Sequence, residues 1–147
     1  MEVQPDFKEL FVLLNSHKVK YLVVGGYALA FYGFPRFTGD IDVFIQSTPK
    51  NSLCIIKALT AFGFGSLGLS SDDFLKKNTV IQLGVPPVRI DILTSLTGLS
   101  WEQAYKTKVK GLFGNVPVFY IGRREFMLNK RMVSRKKDQA DLEALGE

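Results

Sequence analysis

The chain has 147 residues, 46% of them hydrophobic, including 12 phenylalanines, which is enough apolar material for one complete core and excludes a disordered chain. No apolar run approaches the roughly 20 residues of a membrane-spanning helix, and a single cysteine, Cys54, excludes an internal disulfide. The opening Met1-Glu2-Val3-Gln4-Pro5-Asp6 lacks the basic and then apolar regions of a signal peptide, so a cytosolic protein with no membrane partner is expected.

In chain order, Phe7, Leu10, Phe11 and Leu14 form the i, i+3, i+4, i+7 stripe of an amphipathic helix started by Pro5-Asp6 and ended by Asn15-Ser16-His17. His17, the one histidine, reads as a surface residue of that turn. Tyr21-Leu22-Val23-Val24 is a short buried strand stopping at Gly25-Gly26, and Tyr27 to Tyr32 a short helix broken by Gly33 and Pro35. Asp40 to Ile45 is a second strand, followed by a helix over about 50–62 that ends in Gly63-Phe64-Gly65 and holds Cys54 as a small core residue. Ser70-Ser71-Asp72-Asp73 caps a helical turn. Val80 to Gly84 and Val88 to Leu93 are strands around Pro86-Pro87. Ser100 and Gln103 have capping-box spacing and start a helix whose Trp101 and Tyr105, four apart, belong to the core. Gly114-Asn115 joins Val109–Phe113 and Val116–Ile121 into a hairpin, and helices over about 124–133 and 137–145 close the chain. No repeat or linker interrupts the pattern, so residues 1–147 are expected to form a single α+β domain: a small mixed sheet flanked by helices with a helical C-terminal region.

The charge of +5 is uneven. Residues 1–100 carry 9 basic and 8 acidic groups, whereas 101–147 carry 10 and 6. Between Arg123 and Lys137 stand seven basic residues and one acid, Glu125, a block suited to a triphosphate or an RNA backbone, or else a solvated helix face. Asp138 and Asp141 read as caps or ion-pair partners within the last helix.

The residues that stand out chemically are Asp40 and Asp42, which open the apolar run Asp40-Ile41-Asp42-Val43-Phe44-Ile45. Two apart in a strand, they share one face, where like charges repel and lose hydration unless a cation sits between them. Asp91, between Ile90 and Ile92, adds a third carboxylate from another strand. Three such oxygen donors converging on one point suit Mg²⁺ or Mn²⁺, and a pair of such ions can hold both oxygens of a phosphoryl displacement. Gly25-Gly26, between a strand and a helix, lets backbone N–H groups approach a phosphate. The glycines do not make Gly-x-Gly-x-x-Gly, and Walker spacing is absent. The apolar residues follow the acids rather than precede them, and Val43 follows Asp42, which argues against a haloacid-dehalogenase-like phosphatase.

The succession Gly25-Gly26-Tyr27-Ala28-Leu29, Arg36-Phe37-Thr38-Gly39-Asp40-Ile41-Asp42 and Arg89-Ile90-Asp91 resembles the DNA polymerase β-type nucleotidyltransferase superfamily. Within it the chain is most similar to the small prokaryotic branch of AbiE-type toxin nucleotidyltransferases, with a tail of the same kind in Lys130, Arg135-Lys136-Lys137-Asp138 and Asp141-Leu142. The resemblance implies the nucleotidyltransferase fold and transfer of a nucleoside monophosphate from an NTP such as ATP to a hydroxyl of RNA, tRNA or protein. It implies Asp40, Asp42 and Asp91 as catalytic metal ligands, with Gly25, Gly26, Arg36, Thr38 and Lys130 holding the nucleotide. A role as the toxin of a toxin–antitoxin pair, with an antitoxin as partner, comes with it. The sequence departs from the pattern at Gly26, where many members have a serine, and at Ser134 and Lys136, where the branch often has Gly and Pro. The rivals are a non-catalytic NTP-binding or interaction module of the same fold and a basic nucleic-acid-binding protein.

Overall fold

The computed structural model describes residues 4–34 and 39–144, with side chains described as far as Val133. Helix α1 (Pro5–Ser16) is followed by β1 (Tyr21–Val24), α2 (Gly25–Phe31) and β2 (Asp40–Ile45). Next come α3 (Pro49–Leu59), a π-helical turn (Thr60–Phe64), two short 3₁₀ turns, and the β3 (Val80–Val85) and β4 (Val88–Leu93) pair. After α4 (Trp101–Lys106), β5 (Val109–Phe113) and β6 (Val116–Tyr120) form the expected hairpin, and α5 (Arg123–Ala144) ends the fold.

The six strands form one mixed sheet in the order β3-β4-β2-β1-β6-β5. β2 runs antiparallel to β1 and parallel to β4, and β1 runs parallel to β6. The two faces have different jobs. Val43 and Ile45 of β2 and Ile90 and Ile92 of β4 meet Leu10 and Leu14 of α1 and Ile55 and Leu59 of α3 on one of them. On the other, Phe44 packs edge-on against Trp101 of α4 at 5.2 Å, and Val24, Asp42 and Leu93 face Phe126 of α5. Alternation along β2 thus sends the isoleucine and valine into the core and both aspartates to the α5 side.

Local signals explain most of the elements. Ser100 and Gln103 exchange reciprocal bonds of 3.1 and 2.9 Å at the start of α4, and Ser70 and Asp73 form the same box before the second 3₁₀ turn. Thr48 caps α3, with Pro49 in its first turn. His17 caps α1 from outside, its ring Nδ1 lying 2.9 Å from the Leu13 carbonyl. Trp101 stacks on Tyr105 at 4.8 Å against the core.

Three expectations need correction. Helix α2 starts at Gly25, not Tyr27, so the glycines are its first turn instead of a separate loop. The last two predicted helices are one, over Arg123–Ala144, since nothing between 133 and 137 breaks it. Cys54 packs against the core but is only half-buried, its other side lining a hollow with Lys18, Lys20 and Lys50. Pro35, expected to break α2, lies outside the described residues.

Candidate active site

Strand register assembles the site. β1 pairs Val24 with Asp42, and β2 pairs Asp42 with Asp91 and Asp40 with Arg89. Asp42 and Asp91 are therefore direct neighbours on one face, and the first glycine after β1 lies against Asp42. Gly25 has φ +68°, which L side chains rarely adopt. A Cβ there would overlap the Asp42 carboxylate, 2.9 Å from its Cγ. The glycine is needed both for the turn and for the space Asp42 fills.

The electrostatics are those of crowded like charges. The Asp42 carboxyl is pushed up from 3.8 to about 6, first by desolvation, then by the charges of Asp91 and Asp40 and by a hydrogen bond with Asp91. The nearby Arg89 guanidinium opposes this without offsetting it. Its Nε donates to Asp91 Oδ1 at 3.3 Å and lies 3.7 Å from Asp40 Oδ2. Among the described residues, Arg89 thus sets a positive charge against Asp91 and Asp40. In the sequence it stands in the run Arg89-Ile90-Asp91 with no role given to it, although its position two residues before Asp91 in one strand already set both on the same face.

Beside Asp42 opens a cleft of about 310 Å³ lined by Val24, Gly25, Gly26, Leu29, Leu93, Leu96, Phe126, Asn129, Lys130 and Val133. Lys130, about 90 residues from Asp42 in sequence, is brought to the same cleft as the glycines and the carboxylate. Phe126, Asn129, Lys130 and Val133 follow i, i+3, i+4, i+7 spacing, the signal that could have found this wall. Asn129 is oriented by donating to the Thr97 carbonyl at 2.9 Å. No side chain caps the start of α2, so its first-turn N–H groups are not taken up by a local cap. Arg36 and Thr38 lie outside the described residues, as do the side chains of Arg135, Lys136, Lys137, Asp138 and Asp141.

The donor set fits a hard divalent cation. Two carboxylates stand in register on adjacent strands, and besides burial their mutual repulsion raises the pKa of one, a repulsion that a positive charge between them would relieve. Among the described residues no three acidic, histidine or cysteine side chains are already gathered as a metal cage. Asp40 shares the face with the pair and contacts Arg89.

No protein-family model matches the chain, and no curated protein does. Among solved structures, the chain is similar to a Thermotoga maritima protein named a "putative nucleotidyltransferase", with a TM-score of 0.73 over 98% of this chain and 94% of that one. Identity is 12%, so the likeness is one of fold. The six-stranded mixed sheet with its flanking helices is a nucleotidyltransferase-like fold.

Proposed function

We propose that the chain is a divalent-metal-dependent nucleotidyltransferase that moves a nucleoside monophosphate from an NTP to a hydroxyl, releasing pyrophosphate. One observation carries the reading: the register that sets Asp42 beside Asp91 also sets Gly25 against Asp42, uniting an acid pair with a backbone turn, and Asp42, Gly25 and Gly26 line one cleft of about 310 Å³. Asp42 and Asp91, with Asp40 beside them, would hold Mg²⁺ or Mn²⁺, which when bound neutralises the triphosphate and lowers the pKa of the attacking hydroxyl. The chain's own contribution is placement. Gly25 and Gly26 offer backbone N–H groups to phosphate, and Lys130 sets a positive charge at the same wall, where charge builds on the leaving pyrophosphate. Leu29, Leu96, Phe126 and Val133 give the nucleoside an apolar bed. Arg36 and Thr38 join the phosphate contacts by the sequence resemblance alone.

The acceptor belongs to RNA, tRNA or protein, and a toxin role with a cognate antitoxin in the cytosol follows the same resemblance. The contacts of Arg89 with Asp40 and Asp91 favour one rival, a module of this fold that binds NTP without turning it over. The decisive experiment incubates the protein with Mg²⁺, each α-labelled NTP in turn, and total RNA or cell lysate, beside Asp42→Asn and Asp91→Asn. Label transfer by the wild type alone is the expected result. NTP binding with no transfer under any condition selects the non-catalytic module, and equal transfer by the variants removes the site.

A further inference from the structure

The outer side of α5 carries charge that the cleft does not use. Arg123, Arg124, Met127, Leu128 and Arg131 lie together on one face of α5. At 3.6 residues per turn this face is centred about 140° around the helix from the cleft-lining one. All five residues are exposed, and among the described residues none of the three arginines has an ion-pair partner. Arg124 and Arg131 stand about 10 Å apart along the axis. Next to them is Phe34, 48% exposed, its ring centroid 5.9 Å from the Arg123 guanidinium.

Unpaired guanidiniums along one face suit a run of phosphates, and an exposed ring beside them offers a stacking surface to an unpaired base. An acidic protein would use the arginines and leave the ring without a partner. A membrane surface would need a broader apolar face than Met127 and Leu128 provide between three charges. We infer that this face docks single-stranded RNA, with phosphates on Arg123, Arg124 and Arg131 and a base on Phe34. That the docked strand is the acceptor of the transfer rests on the function proposed above; the docking does not.

The test uses the full chain and a fluorescein-labelled, mixed-sequence RNA of about 20 nucleotides, read by anisotropy in EDTA without NTP across a series of salt concentrations. Replacing all three arginines (Arg123→Gln, Arg124→Gln, Arg131→Gln) should flatten the slope of log affinity against log salt by about 2, at roughly 0.7 per lost contact. Phe34→Ala should weaken binding about tenfold at every salt concentration, while Lys57→Gln, exposed on α3 across the sheet from α5, should bind within about twofold of wild type. Unchanged binding by the arginine variant overturns the inference, as does equally effective competition by polyglutamate or by anionic lipid vesicles. RNA binding of the expected kind without label transfer upholds the dock and removes the transferase. Transfer to RNA that ignores the arginines and Phe34 removes the dock and leaves the transferase standing.

Discussion

Replacing Asp42 with asparagine removes a charge that the fold holds at a cost. The folded carboxyl titrates at about 6 instead of 3.8, which corresponds to about 3 kcal/mol in full. Asp42 is half-buried and open to the cleft, so solvent screening reduces this to about 1–2 kcal/mol. The sign follows from proton binding: between pH 4 and 6 the native state holds a proton that the unfolded chain has released. Wild-type stability therefore falls as pH rises through that window. Asp42→Asn does not titrate there, and its amide can donate to Asp91 in place of the lost proton. In EDTA the variant should match wild type near pH 4 and exceed it by about 1–2 kcal/mol above pH 7, or by about 3–6 °C in Tm. Label transfer should be lost, and added Mn²⁺ should stabilise the wild type more than the variant. Circular dichroism melts at pH 4 and 7.5 measure the difference. An equal gain at both pH values, or a less stable variant at pH 7.5, would refute the reasoning.

Three further perturbations probe the same construction. Gly25→Ala puts a Cβ into the Asp42 carboxylate at φ +68°, and should cost about 1–3 kcal/mol in chemical denaturation and abolish transfer. Arg89→Gln removes the internal cation from Asp91 and Asp40, so Mn²⁺ should bind severalfold more tightly in calorimetry; weaker binding would mean Arg89 organises the carboxylates instead of competing for them. Phe11→Ala empties a fully buried position between Tyr21 and Phe113, with a cost of about 3–5 kcal/mol. A loss below about 1 kcal/mol would show that α1 is not docked on the sheet as described.

Period and punctuation made much of this fold legible. The apolar stripe of α1, the alternation of β4, the cap at Ser70 and the capping box at Ser100 are local, and each is found where its spacing puts it. The start of α2 was not legible, because glycine is a poor helix former and its reason for being there is the carboxylate of Asp42, a contact between elements. Cys54 sits in an apolar run, yet α3 leaves it half-exposed beside the helix's own Lys50 and beside Lys18 and Lys20 of the loop before β1. Within the candidate site the acids and glycines were visible as types in an order. Their adjacency was not, since pairing register is a property of the whole sheet. Lys130 was named from the tail pattern, and only the packing of α5 over β1 and β2 brings it to the cleft.

The acid pair depends on residues that never touch it. In the parallel pairing of β2 with β4, Ile41 faces Ile90 and Val43 faces Ile92, and all four are at most 4% exposed. A one-residue slip of β4 would turn Asp91 into the layer between the sheet and helices α1 and α3, and turn Ile90 or Ile92 out beside Asp42. Burying a carboxylate there without a partner costs several kcal/mol, and exposing an isoleucine forfeits about 1.5–3 more. The core side of the sheet thus fixes the register by hydrophobic burial, and the register places Asp42 and Asp91 side by side against their mutual repulsion. The repulsion is borne by a face whose opposite side is held by α1 and α3, which is how a small sheet can keep two carboxylates together.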